Sequence, residues 1–209
     1  MNTEPAAPPS AEAVCDCGTS WPEPPQDGYT VDDVYTLPEL PRHTQLIDGS
    51  LVFAARQQLF HMRMVDLLTA GLRGTLVPPL KVRRQMSVEL DRRNMPEPDV
   101  SVVREDAAET GPDRTRYLAS EVLLAVEVVS PDSEARDRDT KPRKYAAAGI
   151  PHFWLVERAG SDGHPVVRVH ELDPVTKSYA ITGIHHDELK SSVPYDIAVD
   201  ISLEALREL

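Results

Sequence analysis

Cysteine is nearly absent from this sequence: Cys15 and Cys17 are the only two in 209 residues. A pair one residue apart staples nothing, and two thiolates do not complete a structural zinc site, so neither disulfides nor zinc is expected to hold the fold. Long apolar runs are missing too. The longest, such as VLLAVEVV, is interrupted and of strand length, which speaks against a membrane span. The opening MNTEPAAPPSAEA has neither the basic start nor the apolar stretch of a secretory leader, so a cytoplasmic location is expected. Positive charge is also in short supply. With a net charge of -12 and a pI of about 5.0, the chain is a poor general coat for nucleic acid, because such binding comes from neutralising phosphates with Lys and Arg. Contact with nucleic acid must therefore be local. Three basic clusters occur, KVRR from Lys81, DRRN around Arg92 and Arg93, and RDRDTKPRK from Arg136 to Lys144, the last diluted by acids. No glycine-rich phosphate loop and no local Ser-His-Asp or Cys-His motif is present.

What is present suffices for one folded domain: 41% of the residues are hydrophobic. Residues 1–27 hold many of the 19 prolines without apolar periodicity, so a disordered tail is expected there and a single domain over 28–209. Thr30 and Asp33 are spaced as a helix cap, and Asp48-Gly49 between apolar stretches predicts a hairpin. Leu59, Met62, Val65, Leu68 and Leu72 recur at helical spacing, with Gly71 or Gly74 as the helix end. LKVRRQMSVEL reads as a strand, PDVSVV as a short one, and Arg104 to Arg116 as loop. EVLLAVEVVS has the aliphatic character of a strand buried on both faces. Pro142 belongs in a first helical turn, which places a helix from Thr140 to Gly149. PHFWLVE, PVVRVHEL and KSYAITG follow as strands, His185-His186 as a turn, and a strand with a short helix closes the chain. This order predicts an α/β fold around a mixed central sheet flanked by helices.

Two acids sit where packing alone gives them little reason to be. Asp99 heads the strand DVSVV, and Glu127 interrupts the aliphatic run AVEVV. A buried carboxylate needs a cation, hydrogen-bond donors or a raised pKa. A structural ion pair with an arginine answers for either acid alone. Together, on neighbouring strands, they offer the hard oxygen ligands that Mg²⁺ prefers. Asp137, Lys141 and Tyr145 are spaced four and four, which puts them on one helix face just beyond Glu127. A lysine there would orient a metal-bound water and stabilise charge on a phosphoryl oxygen, or else form a surface ion pair with Asp137.

The segments QLIDGSLVF, EPDVSVV and AVEVVSPDSEARDRDTKPRKYAAAGIPHFWLVE resemble the Uma-two family of restriction-endonuclease-like proteins, within the PD-(D/E)XK nuclease superfamily. The resemblance runs from about Tyr29 to the C-terminus. It implies a restriction-endonuclease-like fold and Mg²⁺-dependent hydrolysis of DNA phosphodiesters, with Mn²⁺ as a substitute ion. By this resemblance Asp99 and Glu127 are metal-binding and catalytic carboxylates, and the Val128 carbonyl is a further ligand. The lysine usual two residues after the glutamate is replaced by Val129, so Lys141 on the following helix becomes the candidate, with Lys144 second. The family commonly has glutamate where this chain has Gln45, an amide that brings no charge. His61 matches a histidine common near the start of the long helix, where it touches a phosphate, packs or caps. Restriction-type folds often act as dimers, an analogy of fold only. A nuclease-fold protein that binds nucleic acid or a protein partner without cutting, and a purely structural ion network, are the alternatives.

Overall fold

The computed structural model describes residues 23–105, 111 and 113–209. Most of the expected proline-rich tail and part of the loop after Arg104 thus lie outside the described residues. Helix α1 (Val31–Thr36) is opened by a capping box, in which Thr30 and Asp33 satisfy each other's backbone donors. Strands β1 (Gln45–Ile47) and β2 (Ser50–Val52) form the expected hairpin. Its turn residues Asp48 and Gly49 both have positive φ, 52° and 78°, which suits a tight two-residue connection.

Helix α2 (Leu59–Gly74) ends at Gly74, one of the two glycines read as its end, but its buried face departs from the reading. Its inward stripe runs through His61, Met64, Val65, Leu68 and Leu72, while Leu59 and Met62 are exposed. Polar His61 takes the inward place in the first turn, so apolar spacing alone misplaces the face. Gly71 does not end the helix. It lies within it, and a Cβ there would stand 2.5 Å from both γ-carbons of Val199 on β12 (Ile197–Asp200). Gly71→Ala is therefore expected to lower stability by about 1–2 kcal/mol, overpacking outweighing the gain in helix propensity. A drop in the urea midpoint at unchanged slope is the measurement that checks it.

A six-stranded sheet forms the centre. The stretch read as one strand splits at Gln85, where φ is 48°, into β3 (Leu80–Arg84) and β4 (Ser87–Glu89). Strand β3 pairs antiparallel with β5 (Val100–Arg104), while β4 leaves the main sheet and pairs with β6 (Arg116–Leu118). The sheet continues through β7 (Val122–Val128), β8 (His152–Ala159), β9 (His164–Asp173) and β10 (Ser178–His185), in the order β10-β9-β8-β7-β5-β3. Within this sheet β7 and β8 alone are parallel, because the helical crossover between them returns the chain to the same end. That crossover ends in α3 (Lys141–Ala147) and begins earlier than Pro142 suggests, with a wide π-helical turn over Arg136–Thr140. In that turn the Lys141 N–H bonds the Arg136 carbonyl, and the α-helix proper starts with Pro142 in its first turn, where its missing donor does no harm.

Strand β11 (Glu188–Ser191), not anticipated, pairs with β12, and α4 (Leu203–Arg207) follows. Alternation along the strands supplies two cores. Val100, Val126, Val128 and Trp154 pack under α2, while Ala125, Phe153 and Leu155 pack under Tyr145 of α3. No helix among the described residues is long and apolar enough to cross a membrane.

Candidate active site

The mixed sheet places Asp99 and Glu127 together. The β5–β7 register pairs Val100 with Val126, so one step further along the antiparallel strands the two acids are opposite each other. Asp99 accepts the Val128 N–H at 2.7 Å through one carboxylate oxygen and meets His61 Nε2 at 3.0 Å through the other. Glu127 is 1% exposed and fully engaged: Tyr145 donates its hydroxyl to Oε1 at 2.6 Å, and Lys141 Nζ donates to Oε2 at 2.8 Å. Asp137 Oδ1 lies 3.0 Å from the same ammonium. The spacing of Asp137, Lys141 and Tyr145 thus works as read, across the π-turn as well as the α-helix. All three are buried, so the surface ion pair between Asp137 and Lys141 is excluded.

Charge in this pocket does not balance. Asp99, Glu127 and Asp137 surround one ammonium, and His61 is the other basic group in contact. Burial pushes the Glu127 carboxyl up to about 8, and Asp137 and Asp99 add to the rise against the pull of Lys141. Burial works to deprotonate Lys141, but Glu127, Asp137 and Asp99 outweigh it and hold the ammonium above its ordinary value. Tyr145 is raised well above the usual phenol range by burial and by Glu127. Lys141 is accordingly a fixed cation and Tyr145 a fixed neutral donor.

A cleft of about 330 Å³ opens onto this set, lined by Asp99, Glu127, Val128, Asp137 and Lys141 among others. Gln45 and His61 also line it. The Gln45 amide oxygen accepts the Glu97 N–H at 3.2 Å. His61 is 7% exposed, and its Nδ1 has no hydrogen-bond partner among the described residues. Lys144 is turned elsewhere, onto Asp48 of the hairpin turn, and is not among the residues lining the cleft. It ties α3 to the β1–β2 hairpin. Among the lining residues that escaped the sequence reading is Glu97, which bonds His43 and whose carboxyl is raised by burial, against the opposing pull of His43. The signal for it was present in PEPD, since residues two apart in an extended chain share a face.

Among the described residues no three His, Cys, Asp or Glu side chains converge as a closed metal cage. What the cleft offers is a pair of carboxylates with surplus negative charge, a donor set that suits Mg²⁺, whose remaining ligands are commonly water. Residues 31–204 match the sequence profile of the Uma2 family, described as "Putative restriction endonuclease". The chain belongs to the Uma2 family. Its fold is similar to the crystal structure of "a putative nuclease belonging to DUF820" from Anabaena variabilis, with 15% identity, a TM-score of 0.60, and coverage of 86% of this chain and 92% of that one. At that identity the likeness is one of fold. No curated protein matches the chain. Gln45 brings no charge to the cleft wall, where the Glu97 backbone N–H bonds its amide oxygen.

Proposed function

We propose that this chain is a Mg²⁺-dependent endonuclease that hydrolyses DNA phosphodiesters, with Mn²⁺ able to replace Mg²⁺. The observation that carries the reading is the buried Asp137–Lys141–Glu127–Tyr145 set beside Asp99 in one cleft, with more carboxylates than cations. Asp99, Glu127 and the Val128 carbonyl would hold the ion. When bound, Mg²⁺ supplies Lewis-acid stabilisation of the phosphoryl oxygens and makes water easier to deprotonate. The protein's own groups prepare the rest. Lys141, kept protonated by its carboxylate neighbours, serves as a fixed positive charge toward the phosphate and its attacking water, not as a general base. Tyr145 and His61 fix the orientation of Glu127 and Asp99 by holding one oxygen of each.

Supercoiled plasmid and labelled oligonucleotides, incubated with Mg²⁺ or Mn²⁺, test the reading. Cleavage by the wild type is expected, with a loss of on the order of 10²–10³ in Asp99→Ala. Equal cleavage by both would assign the activity to a contaminant. A second reading is favoured by Gln45 and by the full engagement of Lys141: a nuclease-fold protein that binds without cutting. Calorimetry with Mn²⁺ separates the two, since tight binding abolished in Glu127→Ala supports the enzyme and no binding leaves the second reading.

A further inference from the structure

We infer that Arg42, Arg56 and Arg136 are the contacts that hold the DNA phosphate backbone over this cleft, an inference that rests on the DNA reading above. The three come from distant parts of the chain, yet all line the same opening. Arg42 lies in the loop before β1, Arg56 in the irregular stretch between β2 and α2, and Arg136 at the head of the π-helical turn. None of their guanidinium groups has an ion-pair or hydrogen-bond partner among the described residues.

The contrast within RDRDTKPRK is sharper still. Arg138 pairs with Glu134 and Glu157, Arg143 with Asp139, Lys144 with Asp48, and Lys141 with Glu127 and Asp137. Of the five cations in that run, only Arg136 is left uncommitted, and it faces the cleft. Of the other two basic clusters in the sequence, KVRR spends Arg83 on Glu105 and Arg84 on Asp66, and DRRN lines a separate pocket beside α1.

Electrostatics gives the three a task. The floor of the cleft carries Glu97, Asp99, Glu127 and Asp137, Asp132 joins the lining, and the whole molecule has a charge of -12. A polyanion approaching this floor meets repulsion unless cations at the mouth take up its flanking phosphates. Planar guanidinium groups free of internal partners suit that role, because each phosphate contact releases condensed counterions.

Fluorescence anisotropy with a labelled duplex and a labelled single strand, in Ca²⁺ and over about 50–200 mM salt, tests the inference. The variants are the triple Arg42→Ala/Arg56→Ala/Arg136→Ala, its all-lysine counterpart, and Arg143→Ala as a cation on the same helical segment that is already paired. For the duplex, the slope of log affinity against log salt should fall by about 0.9 per arginine removed, and for the single strand by about 0.7. At about 0.1 M salt the triple alanine variant should bind on the order of a hundredfold more weakly. The all-lysine variant should keep most of the slope, and Arg143→Ala should match the wild type. Wild-type slope and affinity in the triple alanine variant would overturn this inference and leave the nuclease reading standing. Failure of the wild type to bind either nucleic acid would remove both.

Discussion

Replacing Lys141 with methionine is expected to cost about 3–5 kcal/mol of folding stability at pH 8, the range for removing one partner of a buried ion pair. At about 2–4 °C per kcal/mol for a chain of this size, the melting temperature should fall by at least about 6 °C. The reason lies in the imbalance around Nζ, which touches both Glu127 and Asp137 while Asp99 stands close by. Methionine fills similar volume but leaves three carboxylates facing one another, with His61 as the remaining basic contact. The double variant Lys141→Met/Glu127→Gln removes one of those charges and keeps an acceptor for the Tyr145 hydroxyl, so it should recover a large part of the loss. A cycle of the two single variants and the double measures the coupling directly. Purely additive effects would mean that the lysine does not serve to neutralise the glutamate. Cleavage should be lost in both lysine variants, which separates the stability of the network from its chemical use.

The same residues show why part of this site was legible in the sequence. Asp99 and Glu127 were visible because each breaks an apolar strand pattern, and the structure puts both on one cleft through the β5–β7 register. Asp137, Lys141 and Tyr145 were visible through periodicity: Lys141 and Tyr145 share the α-helical face after the wide turn, and Asp137, inside the turn, still reaches the Lys141 ammonium. Glu97 escaped because the two-residue period that links it to Asp99 spans a single step of a short proline-flanked segment. Arg42, Arg56 and Arg136 were not legible as a set: their convergence is a property of the crossover and of two loops, and in the cluster that contains Arg136 the other four cations are paired internally. Lys144 was a candidate by proximity in the chain, and its direction is decided by Asp48, 96 positions away. The fold followed similar lines. Hairpin, caps and buried strands carry local signals, whereas the break at Gln85, the depth of Gly71 against Val199 and the partner of β11 are set by tertiary contact.

Glu127 should also make stability depend on pH in a direction opposite to the usual acid denaturation. Its folded value of about 8 lies above the ordinary 4.5 of an unfolded glutamate. Between those two values the folded state binds the extra proton, so the stability this group contributes is full below about 4.5 and is lost as pH rises through about 8. The whole excursion is on the order of 5 kcal/mol. Glu97, also raised by burial, acts with the same sign, whereas His152 and His170, lowered by burial, contribute stability that is present above their ordinary 6.5 and lost as pH falls. The raised Lys141 loses its contribution only in more alkaline solution than this window. Urea unfolding of wild type and Glu127→Gln at pH 5, 6, 7 and 8 isolates the one group, since the other titrations are common to both. The wild type should decline relative to the variant across the series, and the variant should equal or exceed it at pH 8. A divalent cation supplies the charge that the proton supplied, so Mg²⁺ at pH 8 should raise the wild-type melting temperature, EDTA should reverse the gain, and Glu127→Gln should respond far less. Parallel pH profiles for the two proteins would mean that Glu127 takes up no proton on folding, so that its carboxylate is not raised above its ordinary value and the Mg²⁺ effect cannot come from replacing a proton.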